Sequence, residues 1–261
     1  MSRSPLDPIL LKFPHVVAGR EHAALRVDDL SARPRFGCKG PGAPSWLAAN
    51  GYCVPEGANS ATVDAQGILV ARLATSEFLI EAINGGVQAV ANSLHKLAWP
   101  MDPPNWPKGS QGSPMDSPNR PIGPQGSPTD PRARPIGPQG SPMDPPVRPT
   151  SPPVAPARPP EVYPVARQDL VVGIQGPGLQ PLLRQICSVD FVPLFEASGP
   201  HNGPIALTSM IGVGVVAWPR RTDSGSSLTV WLDPSFAHYF WTTLLEVGRG
   251  VGALVIGSNT I

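Results

Sequence analysis

Five histidines, His15, His22, His95, His201 and His238, and three cysteines, Cys38, Cys53 and Cys187, are the side chains of this sequence best suited to hold a metal or move a proton. Their spacing supports neither task. The histidines stand at no metal-ligand interval from one another or from a cysteine, and no C-x-x-C pair is present. An odd number of cysteines without such pairs reads as reduced, buried thiols of a cytoplasmic protein, not as a disulfide scaffold. No G-x-S-x-G elbow supports a serine nucleophile, and His238 falls among the aromatic positions of a predicted helix, where an ordinary exposed or hydrogen-bonded histidine is expected.

Glycine-rich runs are the other chemical candidates. Gly37-Cys38-Lys39-Gly40-Pro41-Gly42 and Gly173-Ile174-Gln175-Gly176-Pro177-Gly178 both read G-x-x-G-P-G. This is neither a dinucleotide fingerprint nor a P-loop, and its proline removes an N–H that a phosphate cradle needs. Gly248-Arg249-Gly250-Val251-Gly252 follows a predicted helix, where the dinucleotide motif would follow a strand. No catalytic, cofactor-binding or metal-binding residue is therefore expected.

What the two G-x-x-G-P-G runs do specify is a turn. Glycine opens backbone angles closed to other residues, and proline suits the first helical position, so each run reads as strand, tight turn, helix. Leu47 and Leu183 follow at the same distance, which makes the runs two copies of one pattern. In the first copy, Arg33 to Cys38 reads as a strand and Ala43 to Asn50 as a helix with Trp46 and Leu47 inward, ended by Gly51. Ile68 to Leu73 and Glu77 to Ile83 read as a hairpin, and Val87 to Ala98 as an amphipathic helix stopped by Pro100. In the second copy, Asp169 to Ile174 and Leu179 to Cys187 repeat the strand and helix. Ile205 to Trp218 and Leu228 to Leu232 follow as strands, and Asp233-Pro234-Ser235 starts a last helix with Phe236, Tyr239, Phe240, Thr243, Leu244 and Val247 on one face. The expectation is an α+β protein of two related β-α-β-β-α halves with antiparallel sheets, residues 1–99 and 165–261.

Between the halves, residues 100–164 hold 22 of the 36 prolines, and Gln-Gly-Ser-Pro recurs at Gln111, Gln125 and Gln139. So little apolar surface cannot offset the entropy of ordering, and this insert is expected to be disordered. Glycine does not recur at every third position, which excludes collagen. A polyproline-rich linker and a docking segment for a proline-recognising partner both remain open.

Twenty basic and nineteen acidic residues leave a formal charge of +1, without a Lys/Arg cluster, so neither nucleic acid nor an anionic membrane is expected as the main partner. The longest apolar-leaning run, Ile205 to Trp218, is too short to span a bilayer, and Met1 to Pro14 lacks the apolar stretch of a secretory signal. Phe236 and Phe240 are assigned to the core. Trp241 falls beside that stripe, so it and Trp231 are the candidate residues of a partner interface.

Asp29-Leu30-Ser31, Phe36-Gly37, Lys39-Gly40-Pro41-Gly42-Ala43, Trp46-Leu47, Val70-Ala71-Arg72-Leu73 and Glu77-Phe78-Leu79-Ile80 resemble the gamma subunits of bacterial heterotetrameric sarcosine oxidases. Those subunits are built like the aminomethyltransferase, or T-protein, of the glycine cleavage system. In the second half, Gln175-Gly176-Pro177, Gln185 to Asp190, Leu207-Thr208, Asp233 to Ala237, Trp241 and Leu244-Leu245 extend the resemblance.

The resemblance implies a folate-binding-type α+β fold and an architectural, non-catalytic place in a flavoprotein complex that oxidises an N-methyl amino acid to glycine and a one-carbon unit. It further implies alpha-, beta- and delta-type partner subunits that hold FAD, FMN, NAD and tetrahydrofolate, with none bound by this chain alone. The alternative is a self-standing folate-binding or one-carbon transfer protein. Against it, Gln66-Gly67 stands where the aminomethyltransferases carry an Asp-Asp pair, and the chemistry of that pair needs a group able to manage charge on the substrate amine. The proline-rich insert is a second departure from the family.

Overall fold

The computed structural model describes residues 4–7, 23–83, 85–97 and 161–257. The repeats at Gln111, Gln125 and Gln139, and the rest of the expected insert up to Pro160, lie outside the described residues.

Among the described residues, twelve strands form two six-stranded sheets. The first has the order β12-β1-β7-β11-β10-β9, made of Leu254–Gly257, Leu25–Asp29, Leu170–Gln175, Gly225–Leu232, Val213–Thr222 and Ala206–Met210. The second has the order β6-β2-β5-β4-β3-β8, made of Tyr163–Val165, Arg35–Lys39, Glu77–Ala82, Ile68–Ala74, Ser60–Val63 and Asn202–Pro204. Every pairing is antiparallel except that of β1 with β12. The protein is thus mixed α+β with two largely antiparallel sheets.

Alternation along the strands sorts side chains into three apolar layers. Val172, Ile174, Val215 and Val230 face the helices α3 (Leu179–Ile186) and α5 (Ala237–Val251), where Leu182, Leu183, Phe240 and Trp241 complete one core. On the outer side of the second sheet, Phe36, Cys38, Phe78 and Ile80 meet Ala43 and Leu47 of α1 (Ala43–Ala49) and Val90 of α2 (Val87–Leu97). The opposite strand faces stack on each other through Leu69, Ala71, Leu79, Val171, Trp218 and Trp231. A short helix α4 (Val192–Glu196) buries Phe195 on the first core.

The two glycine-rich turns take one form. Gly40 has φ +118 and Gly176 has φ +122, each followed by a helix that starts at Ala43 or Leu179. A Cβ on Gly40 would lie 2.2 Å from the Glu161 carbonyl oxygen, and one on Gly176 would lie 2.6 Å from that of Ala24. Those carbonyls accept from Gly42 N at 3.3 Å and Gly178 N at 2.8 Å, so each turn docks on the backbone just ahead of β6 or β1.

The leading strands are exchanged. β1 precedes β2 in sequence yet pairs with β7, and β6 precedes β7 yet pairs with β2. Tyr163–Val165 is therefore part of a sheet, although the expected insert runs to residue 164. The expected single strand from Ile205 to Trp218 is a hairpin, because Ile211 at φ +54 and Gly212 at φ +78 form a two-residue turn between β9 and β10. No helix among the described residues is long and apolar enough to cross a membrane.

Candidate functional site

Where the two exchanged connections cross between the sheets, a buried charge cluster interrupts the apolar layer. Arg35 opens β2 and Glu81 stands directly opposite it on β5. Glu81 is 0% exposed. Arg35 donates from Nε to Glu81 Oε2 at 3.0 Å, from Nη1 to the Asp169 carbonyl at 2.8 Å, and from Nη2 to the Leu30 and Ser31 carbonyls at 3.0 and 3.1 Å. From the other sheet, the Trp231 indole N–H donates to the same Oε2 at 2.7 Å. One guanidinium thus ties together the β1–β2 connection, the β6–β7 connection and both sheets. Leu30 N to Val171 O at 2.8 Å and Val171 N to Ser31 Oγ at 3.0 Å close the crossing.

Two more arginines surround the pair. Arg33 Nη1 lies 3.6 Å from Glu81 Oε1. Arg220, on β10, lies over the Trp218 ring with its guanidinium carbon 4.4 Å from the centroid. Burial pushes the Arg220 guanidinium below its ordinary range, repulsion from Arg33 adds to the effect, and Glu81 opposes it.

Beside the cluster lies a hollow of about 470 Å³, lined by Arg33, Arg35, Arg167 and Asp169 with Val90 and Pro234 among its apolar walls. A more open groove of about 880 Å³ shares Arg167, Asp169 and Pro234 and runs along Leu207 and Val216. Among the described residues no group of three or more histidine, cysteine and acidic side chains could hold a metal ion.

Both tryptophans expected at an interface are core residues. Trp231 is 1% exposed and spends its N–H on Glu81; Trp241 is 0% exposed in the helix–sheet core. The expected inward stripe is rotated. Pro234–Phe236 forms a 3₁₀ turn capped by Asp233, and the helix buries Ala237, Phe240, Trp241, Leu244, Leu245 and Gly248, leaving Phe236 46% and Tyr239 53% exposed. His238 is exposed.

Gln66-Gly67 lies in the turn that joins β3 to β4. Asp64, two residues earlier, accepts from Gln66 N and Ile68 N at 2.9 Å each through Oδ1, so its carboxylate shapes the turn. The charge cluster itself had a sequence signal in Arg35 and Glu81, which face each other in register while the other charges of these strands, Lys39 and Glu77, stand at the far and less buried end.

No family model matches this sequence, and no curated protein does. Among solved structures, a chain of the heterotetrameric sarcosine oxidase from Corynebacterium sp. U-96, in complex with pyrrole 2-carboxylate, aligns with a TM-score of 0.55 at 18% identity, over 96% of each chain. The two share a fold. The glycine cleavage system aminomethyltransferase T from Bartonella henselae aligns with a TM-score of 0.48 at 14% identity, over 90% of this chain and 48% of that one.

Proposed function

We propose that this chain is a non-catalytic, gamma-type subunit of a sarcosine oxidase-like complex. The observation that carries the reading is mutual coverage: a chain of a heterotetrameric enzyme matches this one over 96% of both lengths, with no large region of either left over. The candidate site agrees in kind. Glu81, the fully buried carboxylate, is engaged by Arg35, Arg33 and Trp231, which suits a fastening between sheets better than a base for a substrate amine. The matching turns at Gly40 and Gly176 support two related halves that have exchanged their leading strands.

On this reading the alpha-, beta- and delta-type subunits hold FAD, FMN, NAD and tetrahydrofolate, and the assembly works in the cytoplasm. Its reaction is the oxidation of an N-methyl amino acid to glycine and a one-carbon unit, and this chain's part is architectural.

The test is co-expression with the three partner types, followed by affinity capture through this chain. The expected result is a colourless protein alone and a flavin-bearing complex when the partners are present. Recovery without partners, together with binding of tetrahydrofolate by the isolated chain, would overturn the proposal in favour of a self-standing one-carbon protein.

A further inference from the structure

We propose that the hollow at the crossing of the two exchanged connections binds a small monocarboxylate bearing a hydroxyl group next to its carboxylate. Its volume, about 470 Å³, lies in the range of small-molecule sites. Its walls are largely apolar, with Pro5, Pro34, Val90, Ala91 and Pro234 beside a few charged groups.

The charged groups are unevenly satisfied. Arg35 makes four hydrogen bonds and is paired with Glu81, so it is a wall and not a hand. Arg33 is different. Its ion contact is the 3.6 Å approach of Nη1 to Glu81 Oε1, too long for a hydrogen bond, and its side chain retains 21% exposure. Held from behind and without a side-chain hydrogen bond among the described residues, this planar fork matches a carboxylate, which accepts two parallel N–H bonds. Arg167 lines the same hollow and meets Asp169 Oδ1 at 3.3 Å. Asp169 Oδ2 is buried and has no hydrogen-bond partner among the described residues. A buried carboxylate oxygen without a donor is costly, and a ligand hydroxyl would supply one.

Charge sets the sign. Arg33, Arg35 and Arg167 outnumber Asp169 on the lining, and Glu81 and Arg220 behind it offset each other, so the hollow is net positive and suits an anion. A phosphate monoester would bring a second negative charge against Asp169, where the hydroxyl of a hydroxy-monocarboxylate donates instead.

Isothermal titration of the full-length chain with glycolate, acetate and inorganic phosphate tests this. Glycolate should bind in the millimolar range or tighter, ahead of acetate and well ahead of phosphate. Arg33→Gln should weaken glycolate about tenfold or more with an unchanged circular dichroism spectrum, through loss of a charge-assisted pair. Asp169→Asn should erode the margin of glycolate over acetate. If Arg33→Gln does not fold, Arg33→Lys serves in its place: it keeps the charge, loses the fork, and should still bind several-fold more weakly. Absence of glycolate binding, preference for phosphate, or binding indifferent to the Arg33 variant that folds would each overturn the proposal.

Discussion

The Arg35 guanidinium and the Glu81 carboxylate meet at 3.0 Å at the buried end of the β2–β5 ladder, between the two sheets. Arg35 reaches both connections that exchange strands, and Glu81 receives the Trp231 indole from the opposing sheet. The pair therefore fixes how the sheets cross as well as how the two strands pair. Burial of two charges in an apolar layer yields little net stability when intact, but removal of one partner leaves the other uncompensated.

The first prediction follows from that asymmetry. Arg35→Met should destabilise the protein by about 3–5 kcal/mol, and Glu81→Leu by a similar amount, while the double variant should recover a large part of the loss. Urea denaturation of the three variants measures it. Additive losses would show that the two side chains act separately.

The second prediction concerns the last helix. Trp241 is fully buried between α5 and the first sheet, so Trp241→Ala should cost about 3–5 kcal/mol. Phe236, 46% exposed in the preceding turn, should tolerate alanine with a change near or below about 1 kcal/mol. Thermal unfolding of both variants distinguishes this arrangement from the reverse one.

That reversal shows where the sequence was readable and where it was not. The helix after Asp233 was legible from its start signals and its apolar spacing. Its facing was not, because the 3₁₀ turn delays the helix to Ala237 and shifts the buried stripe one position, about 100°. Strands beside strong turn signals, β2, β4, β5 and β7, were legible for the same local reason. The short strands β8 and β12 are held by distant partners, β3 pairs with β4 and the distant β8, and all three carry too few alternating positions to stand out; β6 contains Pro164 and is exposed at Tyr163. The charge cluster escaped because a charged residue in a short strand normally marks the solvent face. Only the stacking of two sheets turns Arg35 and Glu81 inward.

The third prediction tests the glycine turns. Alanine at Gly40 or Gly176 would combine a positive φ with a Cβ within 2.2 or 2.6 Å of a carbonyl oxygen. Each should cost at least about 1–3 kcal/mol from backbone strain, with the clash in addition. Gly51 is the control. It has φ +85 but open space around its Cβ position, so Gly51→Ala should show the strain alone, about 1 kcal/mol. Equal losses at all three sites would remove the docking of the turns on Glu161 and Ala24 as a source of stability.

The last prediction joins reactivity to pH. Cys38 is buried at the centre of the helix–sheet core, and burial pushes its thiol up to about 12. The thiolate is the nucleophile, so Cys38 should resist alkylation in the native protein at mildly alkaline pH, while the exposed Cys53 reacts readily. The same shift sets a sign for stability. Below the unfolded thiol's pKa, near about 8.5, both states keep the proton and Cys38 contributes no pH dependence. Above it the unfolded chain releases a proton that the folded chain retains, so stability should fall as pH rises from about 9 toward 12. Cys38→Ala should flatten that part of the curve, at the cost of a small cavity. A native protein that alkylates at Cys38 as fast as at Cys53, or an alkaline slope unchanged in the variant, would contradict the burial on which the prediction rests.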